Sequence, residues 1–203
     1  MKKIILSVAA VFAFGFANAQ EATEGGKGFT KGDIFVSGSF GFSSEKTGDF
    51  KTSDFNITPS VGLFVDENIA VGLSVGYLSS KVDVGGADAT NSGFTAGAFG
   101  RYYFTPSNDF SLFAQLGFDY MTVDTEFAYD TDGSLVPSEG EISGFEIALR
   151  PGVSYFISSN FALEASIGAL GYSTVDFGGD DNTNTFDLNV DLTNVQLGLI
   201  YKF

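Results

Sequence analysis

The residues at positions 193–203 alternate strictly between two kinds of side chain. One set is apolar except for Thr193 and comprises Thr193, Val195, Leu197, Leu199, Tyr201 and Phe203. The set between them is mostly polar or small and comprises Asn194, Gln196, Gly198, Ile200 and Lys202. Successive side chains of a β-strand point to opposite faces, so this period predicts a strand with two unlike faces. We expect it to be the last strand of the fold.

Seven earlier segments alternate in the same way, at residues 34–42, 55–65, 69–78, 94–104, 110–120, 142–156 and 161–172. Their connections alternate between short, at 66–68, 105–109 and 157–160, and long, at 43–54, 79–92, 123–141 and 173–185. This plan is typical of an all-β, eight-stranded antiparallel up-and-down transmembrane β-barrel. The closing strand must then pair with the strand that begins at Ile34. Apolar residues change phase just before the closing strand, which predicts a β-bulge at 191–194 or a stalk above the membrane.

A soluble barrel also alternates, but with its apolar face inward. Here the polar face carries Gly, Ser, Thr and few charges, and Lys202 is the one lysine within the predicted strands. Soluble surfaces are richer in charge. Aromatic residues of the apolar face gather at both strand ends, as in the girdles of a barrel in lipid. These features favour apolar side chains facing lipid, although Pro59 and Pro151 at mid-strand have no explanation in the sequence.

The first residues have the pattern of a secretory signal peptide. A basic start at Lys2 and Lys3 precedes an apolar run, and small residues follow at 17–19. We therefore expect a signal peptide at 1–19, a flexible periplasmic lead at 20–32 and an outer-membrane barrel at 33–203. The loops would be extracellular and both termini periplasmic.

Composition argues against several functions. The formal net charge of −15 disfavours nucleic acid as a partner. The absence of cysteine removes thiol chemistry and a lipoprotein anchor, and the absence of histidine removes the usual base of outer-membrane enzymes. We therefore expect no enzyme activity, no cofactor and no bound metal.

Five charged residues fall on the face predicted to line the lumen: Arg101, Asp119, Glu146, Arg150 and Glu164. Unpaired charges there would be costly, so the two cations should pair with the anions. A structural salt-bridge network that plugs the lumen is favoured over a gate, because eight strands leave no continuous channel.

The long loops are acidic, and Asp130-Thr131-Asp132-Gly133 matches part of a calcium-binding loop without its later ligands. Solvated loops are the default interpretation. Binding of divalent ions or of extracellular ligands by these loops stays open.

Three stretches carry a family resemblance: the residues at 17–20 (ANAQ), those at 97–104 (GAFGRYYF), and Tyr201-Lys202-Phe203. In these the chain resembles the small porin-family outer-membrane β-barrel domain proteins of the Bacteroidota type, which are similar to OmpX and the OmpA barrel. The resemblance implies contact with outer-membrane lipid, and insertion by the barrel assembly machinery with Tyr201 and Phe203 as the assembly signal. We expect a monomer with a structural or interaction role, a plugged lumen and acidic extracellular loops. The alternative is a narrow porin-like conduit for small or apolar solutes.

Overall fold

The computed structural model describes residues 26–84, 87–129, 135–168, 170–179, 181–188 and 195–203. The predicted signal peptide and residues 20–25 of the lead lie outside these ranges. The strands are β1 Ile34–Thr47, β2 Phe50–Phe64, β3 Ile69–Val84, β4 Ala87–Tyr103, β5 Phe110–Tyr129, β6 Leu135–Phe156, β7 Phe161–Ser166, β8 Leu170–Asp176, β9 Thr183–Leu188 and β10 Gln196–Lys202. Among the described residues, no helix is long and apolar enough to cross a membrane.

The strands form one closed antiparallel sheet. Each of β1 to β5 pairs with the next strand along the chain, so this run of neighbours extends from β1 to β6. Strands β7 and β8 both pair with β6 and together form the seventh wall strand, or stave, of the barrel. Strands β9 and β10, which pair with β8 and β7, form the eighth stave. Strand β10 closes the ring against β1, where Val36 lies opposite Tyr201. The predicted eight-stranded barrel and its closing pair are therefore confirmed.

The two rims of the barrel differ, as the loop lengths predicted. One rim, the short-turn rim, carries the connections at 65–68, 104–109 and 157–160. At the other, the long-hairpin rim, β1 to β6 extend well beyond the predicted strand ends. The prediction of long loops at 43–54, 79–92 and 123–141 was therefore wrong in large part. Strands that rise above the lipid lose the need for an apolar outer face, so their period-two signal disappears although their hydrogen bonding continues.

The single strand predicted at 161–172 is interrupted after Ser166. Gly152 lies opposite Ser166 and Leu149 lies opposite Leu170, so β6 has one residue fewer than its partner in this interval. An extra residue of this kind reverses the inside–outside order beyond it. The interruption lies beside Pro151, which has no N–H to donate to a ladder.

Pro59 also lies at a gap in the hydrogen-bonded ladder. The pairing of β2 with β3 is interrupted between the pairs Ile57–Tyr77 and Ser60–Ser74. A proline is tolerated where no ladder bond requires its nitrogen. Both mid-strand prolines thus coincide with local breaks in pairing.

The predicted orientation of the two faces is confirmed. Leu73 and Leu116 on the outer face are 62% and 57% exposed, whereas Ser111 and Ser154 on the inner face are each 1% exposed. Leu188 and Leu197 both point outward although their positions differ in parity, so the phase does reverse between them. The bulge predicted at 191–194 lies outside the described residues.

Candidate functional site: the barrel lumen

A residue from the segment before β1 lies inside the barrel at the short-turn rim. The Phe29 side chain is 1% exposed and lies among four aromatic rings, which form an aromatic socket. The centroid of the Phe29 ring is 4.6 Å from that of Phe64, 4.8 Å from Phe156, 5.2 Å from Tyr103 and 5.5 Å from Phe35. We call residues 26–33 the stopper.

Backbone contacts fix the stopper in place. The Phe29 amide donates to the Pro106 carbonyl oxygen at 2.7 Å. The Lys202 Nζ donates to the carbonyl oxygens of Gly28, at 2.6 Å, and Gly26, at 3.2 Å. The same Nζ is 3.6 Å from Asp33 Oδ2. The closing strand therefore holds the stopper through the single amine of Lys202.

The polar composition of the lead predicted flexibility through Gly32, and the part described by the structure differs from that expectation. A lone Phe29 among Gly, Thr and Lys has no periodicity, so nothing in the sequence separates it from a solvated loop residue. Lys202 was recognised as inward-facing, but its hydrogen bonds cross from the last strand to the lead and leave no local trace in the sequence.

Arg101 lies directly above the socket and is 4% exposed. Its guanidinium donates to Glu164 Oε2 at 2.5 Å, to Gln115 Oε1 at 2.6 and 3.0 Å, and to the Tyr103 hydroxyl at 2.8 Å. It also lies 4.2 Å from the centroid of the Phe113 ring. The buried cation is thus neutralised by one carboxylate and surrounded by acceptors and aromatic faces, as a charge removed from water requires.

A second cluster surrounds Arg150. Its guanidinium donates to Asp119 Oδ2 at 3.2 Å and to Glu146 Oε2 at 2.9 Å. Asp119 and Glu146 face each other directly across β5 and β6, so their charges would repel without the arginine. A Cβ atom at Gly97 would lie 2.0 Å from Asp119 Oδ1, and one at Gly117 would lie 2.7 Å from Arg150 Nη1. The glycines of the inner face make room for these charges.

The five charged residues predicted for the lumen all lie there, and each forms an ion pair. They form two clusters rather than one network: Arg101 with Glu164, and Arg150 with Asp119 and Glu146. Within the part of the chain that the structure describes, no ion pair joins the clusters. Asp187 is a further inward-facing charge: one of its oxygens is 3.1 Å from the Cβ position of Gly171, and one of Glu146 is 3.6 Å from the same point. It was missed because it falls at the phase reversal.

A cavity of about 450 Å³ extends from the Arg101 cluster past the Arg150 cluster, and the charged residues of both clusters line it. Hydroxyl and amide side chains supply much of its lining: Ser37, Ser39, Thr58, Ser60, Ser74, Thr95, Gln115, Ser166, Ser173 and Gln196. Such a surface suits water or a small polar solute. In the described ranges, no group of three or more Asp, Glu, His or Cys residues is placed to hold a metal ion. The partial calcium loop at residues 130–133 lies outside them.

Tyr201 and Phe203, the predicted assembly signal, lie on the outer side of the short-turn rim. The Tyr201 ring contacts Phe161 and Phe203 edge to face, with centroids 4.9 Å apart in both pairs. The Phe203 amide donates to the Ile34 carbonyl oxygen at 3.0 Å. The terminal aromatics are therefore part of the closing seam.

Comparison with known proteins gives one family. Residues 6–203 match the model of the outer membrane protein beta-barrel domain. No curated protein matches the chain. Among solved structures, the outer membrane protein OprG from Pseudomonas aeruginosa superposes with a TM-score of 0.51 at 19% identity, covering 87% of this chain and 98% of that one.

A second similar structure is Ail, the attachment invasion locus protein of Yersinia pestis, solved with a heparin analogue. It gives a TM-score of 0.45 at 15% identity and covers 86% of this chain and 100% of that one. At 19% identity the similarity to OprG concerns the fold alone.

Proposed function

Because this chain belongs to the outer membrane protein beta-barrel domain family and is an integral protein of the outer membrane, we propose that it is a sealed structural and interaction barrel. Its lumen would pass no solute, and its acidic hairpins would face the outside of the cell. The observation that carries this proposal is the Phe29 stopper in its aromatic socket.

The stopper is stable enough to act as a seal. Burying a phenylalanine side chain contributes about 1.5–3 kcal/mol, and each favourable aromatic pair adds roughly 0.5–1.5 kcal/mol. Phe29 makes four such ring contacts. A route through the short-turn rim would require all of them to break.

The Arg101 cluster supports the same conclusion at the next level. Its guanidinium and Glu164 fill the section above the socket, where an eight-stranded barrel has an interior that side chains just occupy. A permeating ion would have to separate this pair, and removing one partner of a buried pair costs on the order of 3–5 kcal/mol. The structural role of both lumen clusters is part of this proposal.

The exterior supports an interaction role. Asp124, Glu139, Glu141 and Asp181 are exposed on the hairpins or loop of the long-hairpin rim. These carboxylates would attract cationic groups of extracellular ligands at long range, and salt would weaken that attraction. We propose a monomer without enzyme activity, inserted by the barrel assembly machinery through Tyr201 and Phe203. The lack of histidine and cysteine supports the absence of catalysis.

The second candidate is a narrow conduit for small or apolar solutes. The cavity of about 450 Å³ supports it for small solutes, and its polar lining favours polar ones among them. Planar-bilayer recordings and liposome swelling with the purified protein separate the two. The sealed barrel is expected to give no stable conductance steps and no swelling with small sugars. Steady conductance of the unmodified protein would contradict the seal and favour the conduit.

The variant Phe29→Ala sharpens this test, because it removes the ring from the socket and leaves the staves intact. We expect it to show conductance steps or increased swelling. The matched control is Phe40→Ala, which shortens a phenylalanine that is 70% exposed on the outer face. Both variants should keep the heat-modifiable gel mobility of a folded barrel.

A further inference from the structure

Three lysines lie together on the outer surface of β1, β2 and β3 near the long-hairpin rim. They are Lys46, Lys51 and Lys81, and all three are exposed. The sequence has ten lysines and arginines, and the other seven are at positions 2, 3, 27, 31, 101, 150 and 202. In the described structure these seven, where included, lie in the lumen or near the short-turn rim. The extracellular end of the barrel thus has its cations on one side.

Lys46 and Lys51 are direct cross-strand neighbours of the β1–β2 hairpin. Like charges placed directly opposite each other destabilise a sheet. Neither lysine forms an ion pair among the described residues, although Asp83 on β3 is the direct cross-strand neighbour of Lys51. Lys81, on the next strand, is paired with Asp88 at 2.5 Å. Asp83 and Asp88 offset only part of the charge of the three lysines, so Lys46 and Lys51 keep a mutual repulsion that an anion would relieve.

The position of each lysine relative to the bilayer is the same. Phe42, Phe55 and Tyr77 are outward-facing aromatic residues of the upper girdle, and Phe55 and Tyr77 are in ring contact. On every one of these strands the lysine lies four positions from the girdle residue, toward the long-hairpin rim.

Four strand residues span about 13 Å, which a tilt of roughly 40° reduces to about 10 Å above the girdle. Aromatic girdles lie at the level of lipid headgroups, and lysine side chains extend along apolar surfaces toward charged groups. The lysines are therefore placed to reach headgroup phosphates of lipids that contact the girdle.

We propose that Lys46 and Lys51, flanked by Lys81, bind the phosphate groups of anionic lipids in the outer leaflet. One phosphate between Lys46 and Lys51 would convert their repulsion into two charge-assisted contacts. The acidic residues near the rim on β5, β6 and β8, such as Asp124, Glu141 and Asp176, exclude the same lipid from that side. The barrel would then carry its phospholipid or glycolipid partner on β1 to β3 alone.

The test uses the protein refolded into phosphatidylcholine nanodiscs with a minor fraction of bisphosphorylated lipid A. Lipid A that remains bound after extraction into mild detergent is counted by native mass spectrometry. The variant K46Q/K51Q is expected to retain on the order of tenfold less lipid A, because each lysine near a charged membrane surface contributes to binding. The charge-preserving variant K46R/K51R should retain it.

The control variant K27Q/K31Q removes the same charge at the other rim and should leave retention unchanged. Equal retention by K46Q/K51Q and the unmodified protein would overturn the proposal, as would an equal loss in K27Q/K31Q. Lipid A lacking its phosphates should not be retained. If inorganic phosphate alone binds as well as lipid A does, the site is one for soluble anions and the lipid assignment fails. Heat-modifiable mobility verifies that each variant is folded.

Discussion

The Lys202 Nζ donates a hydrogen bond to the Gly28 carbonyl oxygen at 2.6 Å, across 174 positions of the chain. This contact joins the closing strand to the stopper. Because β10 also pairs with β1, the strand that completes the barrel wall also holds the stopper. Formation of the last seam and docking of Phe29 should therefore be coupled.

Replacing Lys202 by Met should release the stopper without opening the barrel wall. The change leaves the carbonyl oxygens of Gly26 and Gly28 without their donor. Gly28 is buried, and an unsatisfied buried acceptor costs about 1–3 kcal/mol. Hydrogen exchange at the Phe29 and Gly32 amides should accelerate by roughly ten- to a hundredfold. Amides of β3 and β4 should keep their protection, and the exposed Lys31→Met serves as the control. Unchanged exchange at Phe29 would mean that the socket alone holds the stopper.

A second prediction compares two glycines of the stopper. Gly28 and Gly32 have φ values of 99° and 94°, so an alanine at either position carries a similar backbone strain. A Cβ at Gly28 would lie 2.5 Å from the Ser107 carbonyl carbon, whereas one at Gly32 has no atom within 4 Å. Gly28→Ala should therefore loosen the stopper markedly more than Gly32→Ala does. Limited proteolysis of the lead in detergent measures the difference, and equal cleavage rates would show that strain rather than contact decides.

The barrel itself could be predicted because lipid imposes one rule on every spanning residue. Leu73, Leu116 and Leu197 alternate with small polar residues since each must face hydrocarbon. Above the bilayer this rule ends, and strand residues such as Lys46 and Lys51 look like loop residues in the sequence although they are paired. The break beside Pro151 likewise reverses the phase of a stave without any change in composition.

The sequence predicts which charged side chains face the lumen, but it does not predict which of them pair with each other. The inward position of Arg101 and Arg150 follows from strand parity, and pairing follows from the cost of a buried charge. Which carboxylate each arginine selects depends on register and on the room left by Gly97 and Gly117, which alternation alone does not fix. Phe29 precedes the first strand, so the period-two pattern contains no information about its position.

A third prediction concerns the buried pair Arg101 and Glu164. Glu164→Gln should destabilise the barrel by about 3–5 kcal/mol, because it leaves the Arg101 charge buried without its counter-ion. The double variant Arg101→Met with Glu164→Leu should recover much of that loss, since neither charge remains. Urea unfolding in lipid vesicles, followed by gel mobility, measures both. Glu146→Gln is the control: its side chain is 45% exposed, so the expected loss is well below that of Glu164→Gln. A double variant no more stable than Glu164→Gln would contradict a direct coupling of the two charges.

A fourth prediction concerns pH at the β3–β4 hairpin, four residues beyond Tyr77 and so outside the membrane-spanning part. The hydrogen bond and charge of Lys81 lower the pKa of Asp88, and Asp88 raises the pKa of Lys81. A carboxylate with a lowered pKa contributes stability above its unfolded pKa, and that contribution disappears as the pH falls through its folded pKa. For Lys81 the contribution disappears as the pH rises through the raised pKa. The pairing of the two residues should therefore persist across neutral pH and weaken at both extremes.

Carbon-detected NMR titration of the Asp88 carboxyl should give a midpoint below the ordinary aspartate value, and Lys81→Gln should move that midpoint upward. Lys51→Gln should leave it in place. A midpoint of Asp88 that does not respond to Lys81→Gln would mean that the pair does not form in solution.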